Sequence, residues 1–316
     1  MAEGRQMSDP VRRLVVALDG SETAETALPV ARHLIELLSR DARPRLVLVS
    51  APEPPAPEPL MSGDLEAVVP GPVVLEAVGA LREQARATAA AYLERVAERF
   101  EDTGAEVVLE VAEGPPAEVI LDVAGAERDT LLVLASRGAS GSRGERPGSV
   151  ADRVLRAAKV PVLLVPAATP CAAWSLRRVL VPLDGSPEAE AAAAAAGELA
   201  RAARAEIVLV HVAPDFGELA RAGVEALLRL ERDYMRWAES YLTRLRERFA
   251  SEGLACSTET LGGAVAPALL ERAEAAGADL IAVSAQGRGR SELWSVGRVT
   301  ERLMRRTTVP LLVVRG

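Results

Sequence analysis

Residues 13–20, Arg13-Leu14-Val15-Val16-Ala17-Leu18-Asp19-Gly20, return almost unchanged at 178–185 as Arg178-Val179-Leu180-Val181-Pro182-Leu183-Asp184-Gly185. Each copy is an apolar, β-branched run ended by Asp-Gly and followed at once by Ser and an Ala/Glu-rich stretch, which reads as buried strand, turn and helix. The far ends match too. Val160-Pro161-Val162-Leu163-Leu164-Val165 is answered by Val309-Pro310-Leu311-Leu312-Val313-Val314. A repeat of about 150 residues is too long for a solenoid unit and has the commonest domain size. The chain therefore reads as two domains of one kind, 11–166 and 177–316, joined by a linker at 167–176.

Within the first half, apolar runs near 13–18, 45–50, 106–111, 130–135 and 161–165 alternate with helical patterns near 22–39, 74–101, 116–125 and 150–158. The second half repeats the strands near 178–183, 206–212, 255–261, 279–284 and 309–314. Strands alternating with helices predict a doubly wound α/β fold, a parallel sheet covered on both faces. Val162–Val165 and Leu311–Val314 are expected at the sheet edges, where an unpaired apolar strand must be covered or paired. Pairing across the linker would make the two halves an intramolecular pseudo-dimer. A further homodimer is only weakly signalled.

At 49% hydrophobic residues the chain can bury a core in each half, yet no apolar run approaches the ~18–20 residues of a membrane span. The polar Met1–Pro10 stretch lacks the apolar core of a signal peptide, and Cys171 and Cys256 suggest neither a disulfide framework nor a metal cluster, so the cytoplasm is the expected compartment. His33 and His211 stand without ligand-spaced neighbours. The net charge of −8 argues against nucleic acid as a partner. Lys159 is the lone lysine among 37 basic residues, a usage that a GC-rich genome explains.

Ligands of open α/β sheets bind beyond the carboxyl ends of the strands, where the strand order reverses. There lie Asp19 and Asp184, each at the end of a first strand, and two loops rich in Gly, Ser and Arg, 136–148 and 285–297. Basic loops on an acidic protein suggest an anionic ligand. Gly138 and Gly148 allow close backbone approach, and Ser149 opens a helix whose free N–H groups favour phosphate. An ordinary reading stands beside this one: Ser149 and Asp152 fit a helix capping box, and Asp before Gly-Ser is often a turn residue. No Gly-Lys-Ser/Thr Walker sequence occurs.

The Leu-Asp-Gly-Ser after the first strand, the Ala135-x2-Gly138-x9-Gly148-Ser149 loop and the closing Pro-Val-Leu-Leu-Val strand together resemble the universal stress protein family in a tandem form. The second half carries Ser284-x2-Gly287-x9-Gly297-Arg298. The resemblance implies an adenine-nucleotide-binding α/β domain with strand order 3-2-1-4-5. Transferred position by position, it places Asp19, Ala51, Ala135, Gly138, Gly148, Ser149 and Val150 in a first site, and Asp184, Val212, Gly287, Gly297 and Val299 in a second. The implied ligand is ATP, ADP or AMP, with Mg2+. The sequence departs from the pattern where Ala17 replaces a frequent Pro and where Arg298 replaces the phosphate-facing Ser/Thr, so Arg298 is either a blocker or a ligand of phosphate. The proline-rich segment 51–72, at the rim of the first site, is either disordered or a lid. Trp294 reads as a hydrophobic plug in the second loop.

Three readings of function follow: a nucleotide-binding regulator of a stress response without fast chemistry, a slow ATPase, or a nucleotide-free module acting through an unidentified protein partner. No Ser/His/Asp set, spaced carboxylate pair or Walker lysine supports catalysis. The first reading is preferred, with ATP hydrolysis at most slow.

Overall fold

The computed structural model describes residues 10–40, 42–52, 72–127, 129–138, 148–169, 174–214, 225–287 and 296–315. The first half runs β1 (Arg13–Ala17), α1 (Glu22–Glu25), α2 (Ala27–Leu38), β2 (Arg45–Ser50), α3 (Pro72–Ala97), β3 (Glu106–Val111), α4 (Pro116–Ala124), β4 (Thr130–Ala135), α5 (Ser149–Ala157) and β5 (Val162–Val165). The second runs β6 (Arg178–Pro182), α6 (Pro187–Ala203), β7 (Glu206–Val212), α7 (Glu225–Ser251), β8 (Cys256–Leu261), α8 (Val265–Ala276), β9 (Leu280–Ser284), α9 (Arg298–Arg306) and β10 (Leu311–Val314).

All strands join one ten-stranded sheet in the order β3-β2-β1-β4-β5-β10-β9-β6-β7-β8. Pairing is parallel inside each half and antiparallel where the halves meet, with Leu311, Leu312 and Val313 opposite Leu164, Leu163 and Val162. The two apolar terminal strands thus cover each other, and both are fully buried. The outer edges are β3, which carries Glu106 and Glu110, and β8, which carries Ser257, Thr258, Glu259 and Thr260, and both are only partly buried. This differs from the expectation of strands buried on both faces, because an outer strand has a neighbour on one side only.

Side-chain alternation divides the core into two layers. Leu14 and Val16 point to a layer with Leu34 of α2, Leu93 of α3 and Ala196 of α6, while Val15 and Ala17 point to a layer with Ile120 of α4 and Val154 of α5. The expected helix over 22–39 is broken at Thr26. Pro29 is the reason: it has no N–H to offer the Glu25 carbonyl, and its ring would collide with that group in a continuous helix. In the second half Pro187 sits at the first helical position, where proline is tolerated, and α6 runs unbroken through its Ala run.

Beside the strand junction, the Leu176 N–H donates to Nε2 of His33 on α2 (3.2 Å), and Trp174 meets the His33 ring edge-on at 5.4 Å while its Nε1–H donates to the Asp279 carbonyl (3.1 Å). Arg315 donates to the Leu155 and Arg156 carbonyls at the end of α5.

Candidate functional site

The connections after β1 and β4 leave in opposite directions, β1 toward β2 and β4 toward β5, so a crevice opens between their carboxyl ends. A cavity of about 510 Å3 lies there, and Asp19, Ala51, Ala135, Gly138, Gly148, Ser149 and Val150 all line it. One wall is α3, through Ala85, Thr88, Ala89 and Tyr92; the other is α4, through Pro116 and Ile120. Arg137 adds a cation at the rim, next to the start of α5.

Asp19 is shared between the fold and the cavity. Its Oδ1 accepts from the Ser21 N–H (3.0 Å) and hydroxyl (2.6 Å), and Ser21 in turn caps α1 by accepting from the Ala24 N–H (3.1 Å). A Cβ added at Gly138 would overlap the other oxygen, Oδ2, so a side chain there would have to displace the carboxylate that Ser21 holds. The strand-end aspartate and the fourth-strand loop are therefore one unit. Gly148 has a different reason to be small. Its φ of −62° suits any residue, and an added Cβ would meet only ordinary contacts, the nearest being Arg137 Cα at 3.5 Å. Nothing among the described residues demands glycine there, whereas a close ligand would.

Gly148 is the N-cap of α5 and makes no side-chain capping bond, which places Ser149 at the first helical position. The capping box expected of Ser149 and Asp152 is not formed, because Asp152 is one residue too far along and pairs bidentately with Arg156 (2.9 and 3.0 Å). The exposed Ser149 and the first N–H groups of α5 face the cavity mouth. Burial, followed by the Glu25 carboxylate, pushes the Tyr92 phenol above its ordinary range, so it stays neutral.

The second half repeats this frame. Ser186 donates twice to Asp184 Oδ1 and caps α6, a Cβ at Gly287 would overlap Asp184 Oδ2, and the Gly297 N–H donates to the Ala285 carbonyl (2.7 Å) as that of Gly148 does to Ser136. Val212 and Val299 pack against the same core layer as Ala51 and Val150. The space beside it is furnished differently. Strand register equates Ser50 with His211, and Phe100 and Gly104 equate with Phe249 and Gly253, which sets Ala85 against Tyr234, Thr88 against Trp237 and Tyr92 against Tyr241. The buried His211 bonds the Leu183 carbonyl through Nδ1 (2.7 Å) and the Tyr234 hydroxyl through Nε2 (2.8 Å). Trp237 meets His211 edge-on at 5.6 Å and stacks parallel on Tyr241 at 5.5 Å. Where the first half has small residues lining a cavity, the second has an aromatic cluster.

Arg298 lines a separate cleft between α8 and α9. Trp294, the loop residues 139–147 and 288–295, and 53–71 of the proline-rich segment lie outside the described residues. Sequence reasoning expected the α3 helix but missed its face as a wall of the cavity, and missed the aromatic cluster, although a signal was there: Ala85, Thr88, Ala89 and Tyr92 share one helical face, and that spacing reads Tyr234, Trp237, Ala238 and Tyr241 in α7. Among the described residues, no group of three or more His, Cys, Asp or Glu is placed to hold a metal, and no helix is long and apolar enough to cross a membrane.

The sequence profile of the Universal stress protein family matches this chain twice, over residues 10–166 and 175–315. The chain belongs to the universal stress protein family. A universal stress protein of Mycolicibacterium smegmatis is 27% identical over 215 residues, covering 68% of this chain and 71% of that one. Among solved structures, a universal stress protein from Archaeoglobus fulgidus aligns over 96% of both chains with a TM-score of 0.61 at 20% identity. A functionally unknown protein from Pseudomonas aeruginosa PAO1 aligns over 99% of this chain and 95% of its own with a TM-score of 0.63 at 14% identity. At these identities the structural likeness speaks for the fold alone.

Proposed function

We propose that the first half binds an adenine nucleotide, ATP, ADP or AMP, and that the protein is a cytoplasmic regulator in a stress response, with ATP hydrolysis at most slow. The observation that carries this reading is the cavity itself, which brings together Asp19, set against Gly138, and the uncapped start of α5 with Ser149 and Arg137. An aspartate acceptor with an apolar crevice suits a nucleoside, and free helix N–H groups, a hydroxyl and a guanidinium suit phosphates. The α3 face of Ala85, Thr88 and Ala89 leaves room for a base.

Mg2+ fits as a companion of the triphosphate, held mainly by phosphate oxygens and water. When bound it would neutralise phosphate charge, and the side-chain oxygens of Ser149 and Asp19, which line the cavity, would be the ones to hold it. Among the described lining residues Asp19 is the one carboxylate, and its Oδ1 already accepts from Ser21, which supports hydrolysis that is at most slow. In the second half the equivalents of the α3 positions that line the first cavity are Tyr234 and Trp237, clustered with His211, in place of Ala85 and Thr88, so beside Asp184, Val212, Gly287, Gly297 and Val299 the reading is one nucleotide per chain.

A second reading, a nucleotide-free interaction module, is favoured by the Asp19–Ser21 cap, which accounts for the aspartate without any ligand. Calorimetric titration of the full chain with Mg-ATP, ADP and AMP separates the two. One saturable event supports the proposal, and no heat with any of them supports the module. Steady-state phosphate release well below one turnover per second is expected.

A further inference from the structure

We infer that the cleft between α8 and α9 is a binding site for a linear oligophosphate, separate from the nucleotide crevice. The cleft encloses about 500 Å3, in the range of small-molecule sites. Its α9 side carries Arg298, Arg302, Arg305 and Arg306 with one carboxylate, Glu301, and its α8 side is Ala266, Pro267 and Leu270. Arg305 pairs with Glu301, as Arg156 pairs with Asp152 at the matching place in the first half. The other three guanidiniums are exposed, and no ion pair joins any of them to a described carboxylate.

Comparison with the first half shows that this charge is not a property of the fold. With Gly148 set against Gly297, the positions of Arg298, Arg302 and Arg306 hold Ser149, Arg153 and Ala157. With Ala117 set against Ala266, Pro267 stands where the first half has Glu118. The second-half cleft therefore gains two cations and loses an anion. Arg298 also sits in the first turn of α9, where the helix dipole opposes a positive charge, so a bound anion relieves an unfavourable placement.

The spacing selects the ligand. Arg298, Arg302 and Arg306 follow one another at i, i+4 and i+8, a single ridge with roughly 6 Å of rise between neighbours. One phosphate reaches a neighbouring pair, whereas a chain of three or more phosphates runs along the ridge. Guanidinium forks match phosphate oxygens bidentately, and the apolar α8 wall offers no polar side chain with which to read a peptide.

The test titrates inorganic tripolyphosphate into the full chain after the nucleotide site has been saturated with Mg-ATP, and repeats the titration without ATP. Wild type should bind one tripolyphosphate in both cases beyond any uptake at the first site, and pyrophosphate should bind more weakly. Arg302→Ala with Arg306→Ala should lower that affinity by about tenfold or more per arginine removed, with Mg-ATP affinity unchanged, and Arg→Lys at both positions should restore part of it. The two sources of the chemistry separate here: if excess ATP displaces tripolyphosphate from the cleft, the ligand is a nucleotide's phosphate tail, and if not, it is a free oligophosphate. No saturable tripolyphosphate binding, binding indifferent to both substitutions, or equal affinity for an oligoglutamate peptide would overturn the inference. Because the readout is independent of the first half, a failure of Mg-ATP to bind would sink the nucleotide proposal and leave this one standing.

Discussion

Replacing Gly148 with Asp should strengthen the fold while it weakens nucleotide binding, a pair of opposite effects that few other mechanisms produce. Gly148 has the extended N-cap conformation, φ −62° and ψ 156°, and the nearest atom to an added Cβ is Arg137 Cα at 3.5 Å. Aspartate is among the best N-caps, its charge suits the helix N-terminus, and losing a glycine restricts the unfolded chain, so Gly148→Asp should stabilise by roughly 0.5–1.5 kcal/mol. For a bound phosphate the sign reverses. The same carboxylate would stand about 5 Å from it, and at an effective dielectric constant near 20 two unit charges then repel by about 3 kcal/mol, or roughly a hundredfold in affinity. Gly148→Asn caps as well without the charge and should lose less. Calorimetry with Mg-ATP and a thermal melt on the same preparations read both effects. Unchanged affinity in a variant that melts no lower than wild type would refute the phosphate assignment of the α5 terminus.

Gly138→Ala should cost about 1–3 kcal/mol, because its Cβ overlaps Asp19 Oδ2. Combined with Asp19→Ala, which opens that space, it should cost less than the two single changes added together, and strict additivity in urea unfolding would contradict the Asp19–Gly138 unit. Desolvation lowers the pKa of His33, against the opposing pull of Glu36 and Asp279 and with the help of Arg40, and neutral Nε2 accepts the Leu176 N–H. A lowered folded pKa means that the unfolded state binds the proton more readily, so this contribution is complete above the ordinary value near 6.5 and is lost as pH falls through the folded value. The melting temperature should fall more steeply from pH 7.5 to 5 in wild type than in His33→Gln, and parallel curves would count against it. Giving the second half the small residues of the first, by His211→Ser, Tyr234→Ala and Trp237→Thr together, should raise AMP stoichiometry from one to two. A folded variant that still binds one would show that the aromatic cluster is not what closes that half.

The fold was legible because buried strands such as Val15–Ala17 and Val179–Val181 are short apolar runs at corresponding places in a repeat, and a parallel sheet leaves little else for them to be. That Asp19, Gly138 and Gly148 line one cavity was legible for a related reason: each is tied to the end of a strand or the start of a helix. What escaped were features set by packing across long stretches of chain. The approach of α3 to the β1–β4 crevice brings Ala85 and Tyr92 to a place that no local pattern names. The Thr26 break was written in Pro29, but the helical periodicity on either side of it outweighed that signal. The capping box at Ser149 failed by one residue, within the uncertainty of any helix start read from sequence. In the second half, Gly287 and Gly297 recur while residues from β7 and α7 form an aromatic cluster beside them, which only the strand register brings together.

The most direct test of the central claim is to purify the full chain, release whatever small molecule travels with it after supplementation with Mg-ATP, identify it by mass spectrometry, and count it per chain. One adenine nucleotide per chain, falling toward zero in Gly148→Asp, is the predicted result. A folded wild-type chain that carries none would contradict the account and leave a stress-family module that acts without nucleotide.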